Sequence, residues 1–231
     1  MIITDLNDLL SAPEATAPPR VIFFDAMGTL FGLRQTVGEI YGAIAARHGV
    51  TVEPSALTTA FFETFRSAPP LAFGEANAEK LARLEFQWWY RLAAQAFIQV
   101  GLLSQFANFE TFFQELYNHF ATTAPWILYP DVLPTLQYWQ ARGVTLSVIS
   151  NFDSRLEQIL RLLGLDSYFT TILYSSRCAV AKPHRQIFYQ ALALHETEAI
   201  QAWHIGDSPQ EDYYGAQTAG LKAFLLERAP A

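Results

Sequence analysis

A chain of 231 residues with 51% hydrophobic and 16% charged side chains has material for a sizeable core, which excludes global disorder. A formal charge of -7 argues against nucleic acid as a partner, and no apolar run reaches the roughly 18–20 residues that cross a bilayer, so no membrane partner is expected. The lone cysteine, Cys178, excludes an internal disulfide framework and reads as buried filler in a reducing compartment. The opening "MIITDLNDLL" lacks a positive n-region and cleavage site, so the expected location is cytoplasmic.

Residues 1–19 read as an N-terminal extension that includes most of the Pro- and Ala-rich "SAPEATAPPR". "RVIFFDA" (20–26) is a continuous apolar run, the pattern of a strand covered on both faces in a parallel sheet. Residues 35–125 then carry helical patterns. The first runs through Val37, Ile40, Tyr41 and Ile44 and stops at His48-Gly49; the second, marked by Leu57, Phe61, Phe62 and Phe65, stops at Pro69-Pro70. "NAEKLARLEFQWWYRLAAQAFIQVG" predicts a long third helix and "FETFFQELYNHFA" a fourth, with Trp88, Trp89, Phe97, Phe112 and Phe113 as bundle core.

From residue 126 onward strands and helices alternate. The strand runs are "VTLSVISN" (144–151), "TILYSS" (171–176), "AWHIGDS" (202–208) and "KAFLLE" (222–227). Gly143, Gly164 and Gly220 close helices, and Ser154 with Glu157 has capping-box spacing at the start of "DSRLEQILRLLG". The alternation predicts an α/β fold with a doubly wound, mainly parallel Rossmann-like sheet, built from residues 20–34 and 126–231 with 35–125 inserted.

In such sheets the site lies beyond the carboxyl ends of the strands. The first strand ends in Asp25, the second in Ser150-Asn151, and the fourth in Gly206-Asp207 with Asp212 on the next turn; Lys182-Pro183 precedes the helix "HRQIFYQALAL". Charged ends converging on one rim must be paired or used. His204 reads as a packed core histidine, His184 as a helix-start residue, and His48, His119 and His195 as helix-end residues. No His and Cys cluster suggests zinc.

"FDAMGTLF", "VISN", "AKPHRQIF" and "HIGDSPQEDYYGAQTAG" resemble, in order and spacing, the four motifs of haloacid dehalogenase-like hydrolases with a helical cap inserted after the first motif. The resemblance implies that Asp25 is the nucleophile, oriented by Thr29, with Gly28 permitting the turn after the strand. It implies that Ser150 and the backbone N–H groups near Ala26 and Asn151 bind phosphate oxygens, and that Lys182 neutralises the nucleophile and the transferred group. Asp25, Asp207 and the backbone carbonyl of Met27 would hold Mg²⁺, with Asp212 in support through a metal-bound water. The implied partner is a small phosphorylated substrate chosen by the cap, and the chain is expected to be a monomer or homodimer.

Phosphatases of the family carry an acid/base aspartate where this chain has Met27, and the dehalogenase branch resembles "FDAYGTLF" there. Three carboxylates against one lysine would repel a carboxylate substrate in the absence of metal. The region "HGVTVEPSALTTAFF" also lacks the arginine with which that branch grips its halide. The expectation is therefore a Mg²⁺-dependent phosphohydrolase with slow or narrow activity; a 2-haloacid dehalogenase or a catalytically weak phosphometabolite binder is the alternative. A phosphonatase-like branch needs a cap lysine, and Lys80 reads instead as an exposed helix residue.

Overall fold

A computed structural model describes residues 1–11 and 18–228. Its strands are β1 (Ile2–Ile3), β2 (Val21–Phe24), β3 (Phe31–Leu33), β4 (Trp126–Leu128), β5 (Thr145–Ser150), β6 (Thr171–Tyr174), β7 (Ala202–Gly206) and β8 (Lys222–Leu226). Its helices are α1 (Val37–Arg47), α2 (Pro54–Ser67), α3 (Ala78–Gln99), α4 (Phe109–His119), α5 (Val132–Ala141), α6 (Arg155–Leu162), α7 (Ser175–Cys178), α8 (Arg185–Leu194) and α9 (Gly215–Thr218). Two compact units result: Met1–Gly32, Leu71–Ala76 and Leu128–Ala231 form the first, Leu33–Pro70 and Asn77–Ile127 the second.

The first unit is built on a sheet in the order β1-β8-β7-β2-β5-β6, with every registered pair parallel. All four side chains of β2 are buried, so its continuous apolar run is what a strand with both faces covered requires. From β2 the chain winds outward through β5 and β6, then crosses back to β7 and β8. The order therefore reverses beside β2, which puts the switch point of a doubly wound sheet at the end of the strand that leads into Asp25.

The N-terminal residues do more than lead in. β1 adds beside β8, and Leu6 and Leu9 of the following 3₁₀ turn are buried. Of "SAPEATAPPR", residues 12–17 lie outside the described residues. The predicted capping box at Ser154 is not formed, because Ser154 already has helical dihedrals (φ -60, ψ -17) and makes no side-chain cap bond. Asp153 serves instead, its Oδ1 accepting the Arg155 N–H at 3.0 Å. A capping box does form at α1, between Thr36 and Glu39. Ser175 and Ser176, read as the end of a strand, begin α7.

One stretch of the inserted residues belongs to the first unit. Phe73 and Gly74 donate their N–H groups to the Ser176 carbonyl at 2.9 and 3.1 Å, and Ser175 Oγ donates to the Leu71 carbonyl at 2.7 Å. The second unit is all helix apart from strand residues at its ends. Its core joins α1 to α4 through Ile44, Leu57, Leu92, Phe97, Phe112 and Phe113, with ring pairs such as Phe97–Phe112 meeting edge to face at 5.3 Å.

Candidate active site

Three strand ends and the loop before α8 supply the site. Asp25 is anchored by its own N–H, which donates to the Ile205 carbonyl of β7 at 2.8 Å. Its Oδ1 accepts from Ser150 Oγ at 3.0 Å and from Lys182 Nζ at 2.6 Å. Lys182 also donates to Asp212 Oδ1, so one ammonium lies between two carboxylates. Asp212 further accepts from His204 Nε2 at 2.9 Å and from the Ser208 N–H at 3.0 Å. Asn151 holds the loop of Lys182 by both ends of its amide: Oδ1 accepts the Lys182 N–H at 2.8 Å and Nδ2 donates to the Lys182 carbonyl at 2.9 Å.

The turn after Asp25 brings Thr29 to Asp207, hydroxyl to Oδ1, at 3.4 Å. The Ala26 carbonyl gathers the N–H groups of Thr29, Leu30 and Phe31. Two glycines leave room for carboxylates. A Cβ on Gly28, which sits at φ 86, would collide with the Asp207 carboxylate, and one on Gly206 with that of Asp212. Met27, two residues past Asp25, is 37% exposed.

Electrostatics follow from this packing. Burial, opposed by Lys182, raises the Asp25 pKa. Burial disfavours the charged form of Lys182, but the charges of Asp212 and Asp25 overcome it and hold the lysine firmly protonated. Burial likewise opposes ionisation of Asp212; Lys182 and the hydrogen bond from His204 outweigh it and hold that carboxyl well below its usual range. Asp207 is exposed, yet desolvation by the surrounding protein, then the charges of Asp25 and Asp212, push its carboxyl up to about 7. Burial lowers the His204 pKa, leaving a neutral imidazole.

Carboxylate oxygens of Asp25, Asp207 and Asp212 lie within 4.8 Å of one another. An all-oxygen, acidic donor set of this kind fits a hard divalent cation such as Mg²⁺. Like charges at that spacing are costly to leave without one.

Three residues of this neighbourhood escape sequence reasoning. His204 is a packed core residue, and it is also a partner of Asp212. Glu211 accepts from Asn151 Nδ2 at 3.0 Å, and burial raises its pKa beside Lys182. Arg228 lies two residues beyond β8 and contacts the turn after Asp25. Only Arg228 carried a usable signal, since reading the end of the last strand as the others were read would have reached it. Cys178, half-buried, has its thiol pKa raised by burial; His184 caps α8, accepting the Gln186 N–H at 3.2 Å.

A family model described as haloacid dehalogenase-like hydrolase matches residues 19–220. Haloacid dehalogenase-like hydrolase domain-containing protein 3 of Bos taurus is 36% identical over 211 residues, spanning 90% of this chain and 81% of its own. A predicted phosphoglycolate phosphatase from Haemophilus somnus shares the fold at TM-score 0.64 and 20% identity, over 90% of this chain and 85% of that one. The L-2-haloacid dehalogenase of Xanthobacter autotrophicus does so at TM-score 0.65 and 17% identity, over 89% and 76%. Among the described residues no helix is long and apolar enough to cross a membrane. The sheet, the order of its strands and the family match over most of the chain agree: this protein belongs to the haloacid dehalogenase-like hydrolases.

Proposed function

We propose that the chain is a Mg²⁺-dependent phosphohydrolase that works through Asp25 on a small phosphorylated metabolite in the cytoplasm. The observation that carries this reading is the cluster of Asp25, Asp207 and Asp212 around the ammonium of Lys182. Fold likeness does not choose between chemistries, because a phosphatase and a dehalogenase share it about equally. Charge does. Glu211 adds a fourth carboxylate to a neighbourhood with one lysine, which disfavours a carboxylate substrate unless a cation is present.

In this reading an Asp25 oxygen attacks phosphorus, the bond from phosphorus to the leaving oxygen breaks, and water later cleaves the aspartyl phosphate. Lys182 offsets charge on the nucleophile and on the transferred group, and Ser150 with the backbone around Ala26 and Asn151 receives phosphate oxygens. Asp25, Asp207 and the Met27 carbonyl would hold the cation, with Asp212 in support. When bound, the cation neutralises phosphoryl charge as it approaches the acidic cluster.

Met27 neither gives nor takes a proton, so the leaving group departs as an anion. General acid–base assistance is typically worth about 10²–10⁴-fold. Acyl and aryl phosphates tolerate its loss and alkyl phosphates do not. The test is Mg²⁺-dependent phosphate release from acyl, aryl and alkyl phosphates by wild type and Met27→Asp, with Asp25→Asn as the blank. Wild type should turn over the acyl and aryl phosphates and only poorly the alkyl ones, and Met27→Asp should gain most on alkyl phosphates. If wild type and Met27→Asp are both silent on all three, the reading fails and haloacid turnover becomes the next assay.

A further inference from the structure

The side chain of Arg228 is only 16% exposed, and its guanidinium makes three separate hydrogen bonds within the first unit. Nε donates to the Gly28 carbonyl at 3.2 Å, Nη2 to the Thr29 carbonyl at 2.6 Å, and Nη1 to Asp131 Oδ2 at 3.0 Å. The guanidinium carbon lies over the Tyr129 ring, 3.9 Å from its centroid. Asp131 is itself buried, and the same oxygen accepts the Leu6 N–H at 2.8 Å. Residues 28–29, 131 and 228, distant in sequence, thus meet at one guanidinium, with Leu6 joined to it through Asp131.

The peptide planes show what this arrangement does. Each peptide unit is planar, so fixing one of its polar groups fixes the direction of the other. The unit joining Met27 to Gly28 is set by the Gly28 N–H, which donates to the Phe31 carbonyl at 2.8 Å. The next two units are held from both sides. Arg228 grips their carbonyls at Gly28 and Thr29, while their N–H groups, on Thr29 and Leu30, donate to the Ala26 carbonyl at 3.3 and 2.8 Å. Gly28 sits in the left-handed region, where a glycine without such restraint samples many conformations. A lysine would bring a point charge to this place and not a rigid fork, so the residue type matters.

We propose that Arg228 is a positioning residue for the metal site: it locks the two peptide units that follow Gly28, and with them the turn that carries the proposed Met27 carbonyl ligand. This rests on the metal reading of that site given above. In this role Arg228 acts through two backbone carbonyls. Groups one shell outside a metal site commonly change its affinity by about 10–100-fold when removed.

The test uses the full chain as wild type, Arg228→Ala and Arg228→Lys, with Mg²⁺ alone as the titrant in calorimetry and amide hydrogen exchange on the metal-free proteins. Arg228→Ala should bind Mg²⁺ roughly tenfold more weakly. Exchange at Gly28, Thr29 and Leu30 should quicken beyond any change in the amides of α8. Arg228→Lys should recover part of both effects, and it serves as the test variant if Arg228→Ala does not fold. A folded variant with Mg²⁺ affinity within about twofold of wild type, or with exchange unchanged at 28–30, overturns the proposal. If wild type takes up no Mg²⁺, the metal reading falls and the proposed metal role of Arg228 falls with it; exchange at 28–30 then shows separately whether Arg228 holds the turn.

Discussion

The two units bury different chemistry. Beneath the surface of the helical unit lie Phe97, Phe106, Phe112, Phe113 and the aliphatic residues around them. In the sheet unit Asp25, Lys182, His204 and Asp212 are buried in one hydrogen-bonded cluster, and Asp131 and Asp153 are buried in the loops. An aromatic core is held by transfer from water and by close packing, neither of which depends on protonation. A rim of paired charges is held only while every member keeps its partner. Stability in the first unit is therefore tied to pH and ions through this paired cluster, whereas in the second unit, which also buries Glu85 and carries His119, it is the aromatic core that is indifferent to both.

The largest expected effect tests that contrast directly. Lys182→Met leaves Asp25 and Asp212 without their ammonium, and breaking a buried pair costs about 3–5 kcal/mol. Phe97→Ala removes a fully buried ring from the helical unit at a similar cost of about 3–5 kcal/mol. The two losses should differ in pH dependence. A carboxylate with a raised folded pKa binds more protons in the native state than in the unfolded one, so stability falls as pH rises. Urea unfolding should show the Lys182→Met deficit growing from pH 5 to pH 8 and the Phe97→Ala deficit holding level. Parallel behaviour of the two variants would break the comparison.

Asp207 offers a finer version of the same test. Its carboxyl is pushed from 3.8 up to about 7, first by desolvation within the surrounding protein and then by the charges of Asp25 and Asp212. Between those values the native state holds a proton that the unfolded state has released, so this group favours the fold at low pH and loses that advantage as pH rises through 7. The histidines work in the opposite direction. His204, His119 and His195 have lowered pKa values, so their contribution is lost as pH falls through 6.5. Comparing wild type with Asp207→Asn cancels the histidines. In chelator, the melting temperature of Asp207→Asn should gain on wild type from pH 5 to pH 8, and Mg²⁺ at pH 8 should raise wild type more. Melting curves that stay parallel across this range would remove Asp207 from the charge account.

The same contrast decides what was legible in the sequence. β2, β5 and β7 announce themselves because strands buried on both faces are continuous apolar runs. The helical unit shows a period near 3.6 with Gly, Pro and Asn punctuation, and α1 to α4 fall where that pattern puts them. Asp25, Ser150, Asn151 and Asp207 were legible as strand-end residues, with Lys182 in the loop before a helix and Asp212 on the turn after a strand, because an open α/β sheet brings those ends to one rim. What escaped depends on long-range pairing. β1 has two residues and exists only because β8 offers an edge. Residues 71–76 have no period of their own, and their partners Ser175 and Ser176 lie about a hundred positions away. His204 reads as apolar packing because a strand pattern shows which way a side chain points and not which carboxylate it meets.

Glu211 should give the smallest effect, and it marks where the charged rim stops mattering to stability. Its carboxylate is half-buried, accepts from Asn151, and adds negative charge beside the lysine expected to receive phosphate. Glu211→Gln keeps an acceptor for Asn151 and deletes the charge, so the hydrogen bond survives and only the field changes. A partly solvated charge of this kind is worth about 0.2–1 kcal/mol, which corresponds to roughly 1.4- to 5-fold in affinity. Inorganic phosphate, used as a competitive inhibitor in Mg²⁺, should bind Glu211→Gln more tightly by that factor, with unfolding free energy within about 0.5 kcal/mol of wild type. Weaker phosphate binding would mean that Glu211 serves Asn151 chiefly as a geometric anchor. A large stability loss would extend the interdependent charge array from Asp25, Lys182 and Asp212 out to the partly solvated edge.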